Sequence, residues 1–172
     1  MRKKLLCMMA LLLLCFVIAP VYMAEAAIYK TGRYSDSSTY AMALDMFSMN
    51  GNRCFVGIYK DCISIPEKSD YYEYVITFDQ PNNSHYINVS KILIVSESAN
   101  IMINSGFKPN RNIGLESISD TLRTNDTGKF NMVLLTAQSK MLIRVIDINN
   151  YSYDFYASKD FIENCKKVAN WS

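Results

Sequence analysis

The sequence predicts a β-rich α+β fold. The expected architecture is an antiparallel sheet or small β-sandwich, with a C-terminal helix packed on it and one short helix before the last hairpin. Three observations carry this reading. Tyr, Ile, Ser and Asn are abundant, a bias that favours strands joined by polar turns. Apolar and polar residues alternate on both sides of Asn149-Asn150, the pattern of a hairpin. Ser158 then opens a segment whose apolar residues recur at helical spacing.

Residues 1–27 stand apart from the rest. Arg2, Lys3 and Lys4 form a short basic start, and Leu5 to Ile18 is an uncharged apolar run. Ala24-Glu25-Ala26-Ala27 places small residues at the spacing a signal peptidase reads. The run is shorter than the about 20 residues of a membrane span. Cys7 and Cys15 each follow a leucine, unlike a lipoprotein cysteine. The expectation is a cleaved secretory leader over 1–27 and a single globular domain over 28–172, beginning at Ala27 or Ile28. The basic start and alanine-rich cleavage zone incline the address to the periplasm of a Gram-negative bacterium.

This leader carries three of the eighteen Lys plus Arg and one of the sixteen Asp plus Glu. The remaining chain therefore holds fifteen of each and is neutral. Dispersed, balanced charge gives no electrostatic case for nucleic acid or an anionic membrane as partner. Lys166-Lys167, the longest basic cluster, falls late in a predicted helix, where cations complement the dipole.

Element by element, Ile28 to Ser38 reads as a polar, irregular or short-strand entry. Thr39 to Met49 fits both periods: Tyr40, Met42, Leu44 and Met46 alternate, while Tyr40, Leu44 and Phe47 share a helical face. Asn50-Gly51 favours the hairpin, with Cys54 to Tyr59 as the returning strand. Tyr72 to Phe78 is a strand showing Tyr72, Tyr74, Ile76 and Phe78 on one face, and Gln80 to Ser84 is a turn. Tyr86 to Val95 is a longer strand bent near Ser90. Ile101 to Ile103 is short, Lys108 to Asn112 is a loop, and Ile113 to Arg123 contains one strand. Phe130 to Ser139 is the short helix. Met141 to Ile148 pairs through Asn149-Asn150 with Tyr151, Tyr153 and Phe155. Ser158 caps the final helix, with Phe161, Ile162, Cys165 and Val168 as its buried stripe.

Met141 to Ala169 resembles in pattern the closing hairpin and helix of small exported β-sandwich proteins of Gram-negative bacteria, the invasion-associated locus B family among them. The likeness covers under a quarter of the chain after residue 27, and no motif residue carries over.

Cys54, Cys62 and Cys165 lie beyond the leader. In an oxidising compartment one disulfide is expected, with one thiol left over. Extended strand would separate Cys54 from Cys62 by about 26 Å, against the about 4.4–6.8 Å a bridge allows. Cys62–Cys165 is favoured, with Cys54–Cys165 and Cys54–Cys62 as alternatives. Closing about 100 residues would stabilise by up to ~4–5 kcal/mol in the chain-entropy model. No two cysteines stand at redox-motif spacing.

His85 is the lone histidine, so any Ser-His-Asp or Cys-His nucleophile must use it. It follows a turn and is expected to be exposed. A site of two or more histidines is excluded, and no metal or cofactor is called for. Asp70 with Glu73, and Glu116 with Asp120, are the nearest carboxylate pairs, at a density chance alone supplies. The glycines are scattered, with no phosphate-cradling loop. Tyrosines cluster at Tyr71-Tyr72-Tyr74 and Tyr151-Tyr153-Tyr156, where Tyr71 and Tyr156 are the binding candidates. Asn82, Asn88, Asn125, Asn150 and Asn170 open Asn-x-Ser/Thr triplets, meaningful only in a eukaryotic secretory pathway.

These residues point to an exported, non-enzymatic binding domain for a protein, peptide or envelope component. Two alternatives stand beside it. One is a small extracytoplasmic hydrolase using His85 with a cysteine, or a carboxylate pair. The other is an assembly protein linked through an unpaired cysteine.

Overall fold

The computed structural model describes residues 21–34, 38–63, 71–104, 109–124 and 126–171, with side chains throughout except at 21–26, 63 and 71. The expected leader up to residue 20 therefore lies outside the described residues, as does Asp70. Strand β1 spans Val21–Arg33. It is followed by β2 (Thr39–Met49), β3 (Asn52–Ile63) and β4 (Tyr71–Pro81). Then come β5 (Val89–Ser96), β6 (Asn100–Ile103), β7 (Asn110–Ile113) and β8 (Ser117–Thr124). Helix α1 (Thr127–Thr136) precedes β9 (Met141–Asp147) and β10 (Ser152–Tyr156), and helix α2 (Lys159–Asn170) closes the chain.

Two antiparallel sheets result, joined edge to edge through β1. Their combined order is β6-β5-β9-β10-β1-β2-β3-β4-β8-β7. A register shift between Ala24 and Ala26 divides β1. Its first residues, Val21 to Met23, pair in parallel with Asp154 to Tyr156 of β10. The rest pairs antiparallel with β2, from Ala24 opposite Phe47 to Arg33 opposite Thr39. The β-rich α+β expectation is met, and the sandwich is one whose two sheets share a strand.

Local chemistry explains the boundaries. Asn50 and Gly51 both take positive φ, 51° and 78°, the conformation of the tight hairpin turn that suits strand twist. That turn settles the ambiguity of Thr39 to Met49 in favour of a strand. The bend expected near Ser90 is a register shift between Val89 and Lys91. Helix α1 runs three residues ahead of the apolar segment at both ends, because the Asp126 side chain accepts from Lys129 N at 3.1 Å and sets the start there.

Of the two forms expected for the polar entry from Ile28, the strand is the one formed as far as Arg33, because pairing along β2 satisfies its main chain whatever its side chains prefer. One element expectation fails. The loop over Lys108 to Asn112 contains the start of β7, a short, mostly exposed edge strand lacking the alternation that would announce it.

A single apolar core draws on both sheets and both helices. Phe155 of one sheet sits between Phe47 and Phe78 of the other, with ring centroids 5.2 Å and 5.5 Å away. Burying each such ring stabilises by about 1.5–3 kcal/mol relative to exposing it. Phe130 of α1 stacks on Tyr74 of β4 at 4.3 Å, and the Tyr74 hydroxyl donates to Asn131 Oδ1. Strand β9 buries Met141, Ile143, Val145 and Asp147, alternate residues that share one face.

Polar side chains close the ends of the core. Gln80 mimics a strand, donating to Ile87 O at 2.7 Å and accepting from Ile87 N at 2.6 Å. Arg111 of β7 forms a two-pronged pair with Asp120, at 2.6 and 2.7 Å. Glu97 accepts from the main-chain N–H groups of Gln138, Ser139 and Lys140. Those bonds, Ser139 and Gln138 foremost, hold its carboxyl down to about 2.

Helix α2 is gripped at both ends. Asp45 of β2, fully buried, accepts from Ser158 N at 3.0 Å and Ser158 Oγ at 3.1 Å. Ser158 Oγ in turn accepts from Phe161 N, the helix cap. At the other end Lys60 of β3 donates to Ala169 O at 2.9 Å and Trp171 O at 2.6 Å. The apolar stripe between, Phe161, Ile162, Cys165, Val168 and Ala169, is buried.

Cys54, Cys62 and Cys165 are three free, buried thiols. The bridge expected from Cys165 to Cys62, or to Cys54, is not formed. Hydrogen bonds at both ends and the buried stripe already fix α2 to the sheet. Burial pushes the Cys54 thiol up to about 11 and the Cys165 thiol well above its usual value.

Burial, opposed by the Ser158 and Met46 hydrogen bonds, raises the Asp45 carboxyl from 3.8 to about 6. Between those values the folded protein holds a proton that the unfolded chain has released. The associated stability is therefore full below about pH 4 and lost as pH rises through 6. Urea midpoints of the wild type and Asp45→Asn, measured in parallel from pH 4 to 7, should show the wild type losing ground to the variant as pH rises. A difference constant across that range would refute the assignment.

Candidate functional site

The residues singled out by sequence do not converge. Tyr156 is 37% exposed at the end of β10, beside the Arg144–Asp154 ion pair. Tyr71 opens β4, and its side chain lies outside the described residues. His85 is exposed in the turn after β4, its Nδ1 3.1 Å from Ser84 Oγ and its N–H donating to Asn83 Oδ1 at 2.9 Å. Glu73 is bridged to Arg123, and Asp120 to Arg111. Glu116 is exposed. Among the described residues, no group of three His, Cys, Asp or Glu side chains could hold a metal ion. No described helix is long and apolar enough to cross a membrane.

The structure instead brings together residues on the outer face of the second sheet. A pocket of about 230 Å³ is lined by Tyr34, Tyr59, Asp61, Val75, Thr77, Thr121 and Arg123. Strand register explains this convergence. Tyr59 lies opposite Val75, and Val75 opposite Arg123. Gly57 lies opposite Thr77, and Thr77 opposite Thr121. These residues alternate with the buried Ile58, Lys60, Tyr74 and Ile76 along the same strands, so they point outward. Tyr34 joins from the end of β1, where its N–H donates to Ser38 O at 2.8 Å.

Two glycines shape the aromatic wall. A Cβ on Gly57 would meet Thr77 Oγ1 at 2.6 Å and Tyr59 Cε2 at 2.8 Å. Its absence lets the Tyr59 ring lie across the strand. Likewise a Cβ on Gly32 would meet the Tyr40 hydroxyl at 2.5 Å, so Tyr40 lies across β1. Tyr34, Tyr40 and Tyr59 thus form a continuous aromatic run, with centroids 4.6 Å and 6.2 Å apart.

The electrostatics are mixed. Asp61 is largely buried, and Arg123 is exposed with a hydrogen bond to Glu73 Oε1. Burial, then the charge of Asp61, raises the Tyr34 hydroxyl to about 12. Burial and the Asp79 carboxylate raise Tyr59 in the same direction. Both phenols therefore stay protonated and can donate near neutral pH. The lining offers aromatic faces, hydroxyls, one carboxylate and one guanidinium, but neither thiol nor imidazole. This arrangement suits holding a small polar molecule on rigid strands.

Sequence reasoning missed these residues because each one alone is an ordinary outward-facing strand position. The one local signal was Gly57, an interior strand glycine flanked by Val56 and Ile58, which marks a close approach by something else.

Gly57→Ala should therefore lift the Tyr59 ring from the sheet and lower stability by about 1–3 kcal/mol, the cost of overpacking. Tyrosine ring resonances and a urea titration would test this. Unchanged Tyr59 shifts with wild-type stability would refute the wall's dependence on that glycine.

No family model, curated protein or solved structure matches this chain.

Proposed function

We propose that this chain is an exported, non-enzymatic binding domain that acts outside the cytoplasm on a protein, peptide or envelope component. The observation that carries the reading is the outer-face pocket, built by register and two glycines on paired strands. Such a wall is rigid before any ligand arrives, which lowers the ordering cost of binding. The basic start, apolar run and Ala-x-Ala spacing of residues 1–27 support export to the periplasm.

The two alternatives draw less support. His85 lies exposed in its turn, hydrogen-bonded to its neighbours Ser84 and Asn83, while all three described cysteines are buried. A hydrolase needs its base within reach of a nucleophile. A cysteine-linked assembly needs an exposed thiol.

Two measurements test the proposal. Osmotic-shock fractionation and N-terminal sequencing should recover a periplasmic product beginning at Ala27 or Ile28. The purified product should show no turnover on a broad hydrolase panel. Robust turnover abolished by His85→Ala would replace the binding reading with the enzymatic one, and a wholly cytoplasmic, unprocessed chain would remove the export claim.

A further inference from the structure

Resting on the reading of an exported domain that meets an envelope component, we propose that one end of the sandwich docks on the surface of a lipid bilayer through the apolar side chains of three turns. These turns join β4 to β5 (82–88), β7 to β8 (114–116) and β9 to β10 (148–151). Register puts all three at the same end: Pro81 lies opposite Ser117, Ile113 opposite Ile118, and Val89 opposite Asp147. Hydrogen bonds tie them together. Asn82 donates from its main chain to Glu116 O at 3.0 Å and from Nδ2 to Gly114 O at 2.8 Å, and Ile148 N donates to Asn88 O at 3.0 Å. Tyr86, Ile113, Leu115, Ile148 and Tyr151 stand on or beside these turns. Exposure is 98% for Leu115 and between 45% and 67% for the other four. Exposed apolar side chains gathered in this way mark an interaction surface.

Three observations select a bilayer as the occupant. The first is where the chain enters. Strand β1 starts at this end, with Val21 beside Asp154 near the start of β10 and Ala24 opposite Phe47 near the end of β2. In sequence the apolar run Leu5 to Ile18 comes just before it. While that leader lies in the bilayer during export, this is the end held against lipid. The second is charge. Over 82–88, 113–117 and 148–152, Glu116 is the only Asp, Glu, Lys or Arg. Charged side chains are what make entry into lipid costly. With one carboxylate and no Lys or Arg, the turns have no attraction for anionic headgroups, so the association is hydrophobic. The third is shape. Leu115 projects from a turn tip with almost its whole surface in solvent, a knob that can enter the acyl boundary. Tyr86 and Tyr151 suit headgroup depth, where an aromatic ring meets lipid and its hydroxyl meets water. Docking leaves the outer-face pocket open, because Tyr34 and Arg123 lie toward the far ends of β1 and β8.

Cosedimentation of the processed protein with phosphatidylcholine vesicles, with and without phosphatidylglycerol, tests the proposal. The protein should bind both, and added salt should change little. Leu115→Asp should weaken binding at least about tenfold, since burying one leucine is worth that factor or more. Ile148→Asp should act in the same direction. Both side chains are exposed, so neither change disturbs the core. Met132→Asp, at an exposed apolar position on α1, should bind as the wild type does. No sedimentation at millimolar lipid overturns the proposal, as does equal sedimentation of the wild type and both turn variants. Binding that requires phosphatidylglycerol and disappears with salt overturns it in favour of an electrostatic attachment. A dimer lost on Leu115→Asp, in protein that ignores vesicles, assigns this end to a second copy of the chain instead. Vesicle failure with a processed, periplasmic product rejects the docking end alone, whereas a wholly cytoplasmic, unprocessed chain rejects the export reading beneath it.

Discussion

Helix α2 is held to the sheet by two buried ionisable side chains of opposite kind. Asp45 receives the N–H and hydroxyl of Ser158 at the helix start. Lys60 donates to the carbonyls of Ala169 and Trp171 at its end. Both ends match the helix dipole, positive toward the carboxylate and negative toward the ammonium. Burying such groups is costly, and burial is the main cause raising the Asp45 carboxyl and lowering the Lys60 ammonium. What offsets that cost is geometry. Each side chain satisfies groups that a helix end leaves orphaned inside the protein. The clamp sets the helix in register on neighbouring strands, and the stripe from Phe161 to Ala169 then completes the core.

The same strand that supplies the clamp supplies the pocket. On β3, Ile58, Lys60 and Cys62 face inward, while Gly57, Tyr59 and Asp61 face outward. Lys60 and Asp61 are adjacent in sequence yet serve opposite sides of the sheet, as the period of two requires. Anything that slips β3 by one residue would remove the helix anchor and empty the pocket of its carboxylate together. The paired register along β2, β3, β4 and β8 guards both at once.

Much of the fold was legible because it was written locally. Alternation along Met141 to Asp147, the Asn50-Gly51 turn and the Ser158 cap each act within a few residues. What was not legible depends on distant partners. β1 looks polar and becomes regular only because β2 pairs with it. Edge strand β7 is fixed by pairing with β8 and by the Arg111–Asp120 pair, neither visible in its own composition. The candidate site was illegible for the same reason. Its residues come from three strands and from Tyr34 just after β1, and the strand residues share nothing in sequence except outward parity. Tyrosine density pointed to clusters at 71–74 and 151–156, whereas the aromatic run uses Tyr34, Tyr40 and Tyr59, which are dispersed along the chain. The disulfide expectation failed differently. It made Cys165 and one partner a staple, in a core whose hydrogen-bonded helix ends already supply the tie.

Strand β1 is where the proposed leader and the fold overlap. Cleavage at Ala26 or Ala27 would remove the three residues that pair in parallel with β10, and with them the edge-to-edge link between the two sheets. It would leave Ile28 to Arg33 on β2, with Tyr34 still held by Ser38. The pocket side of β1 is thus separable from the side that processing would remove. The two sheets would then depend on contacts across their faces: Phe155 between Phe47 and Phe78, and α2 anchored from β2 and β3. Those contacts involve no residue before Ile28, so the core and the outer-face wall can both be built from the chain that would follow the proposed leader.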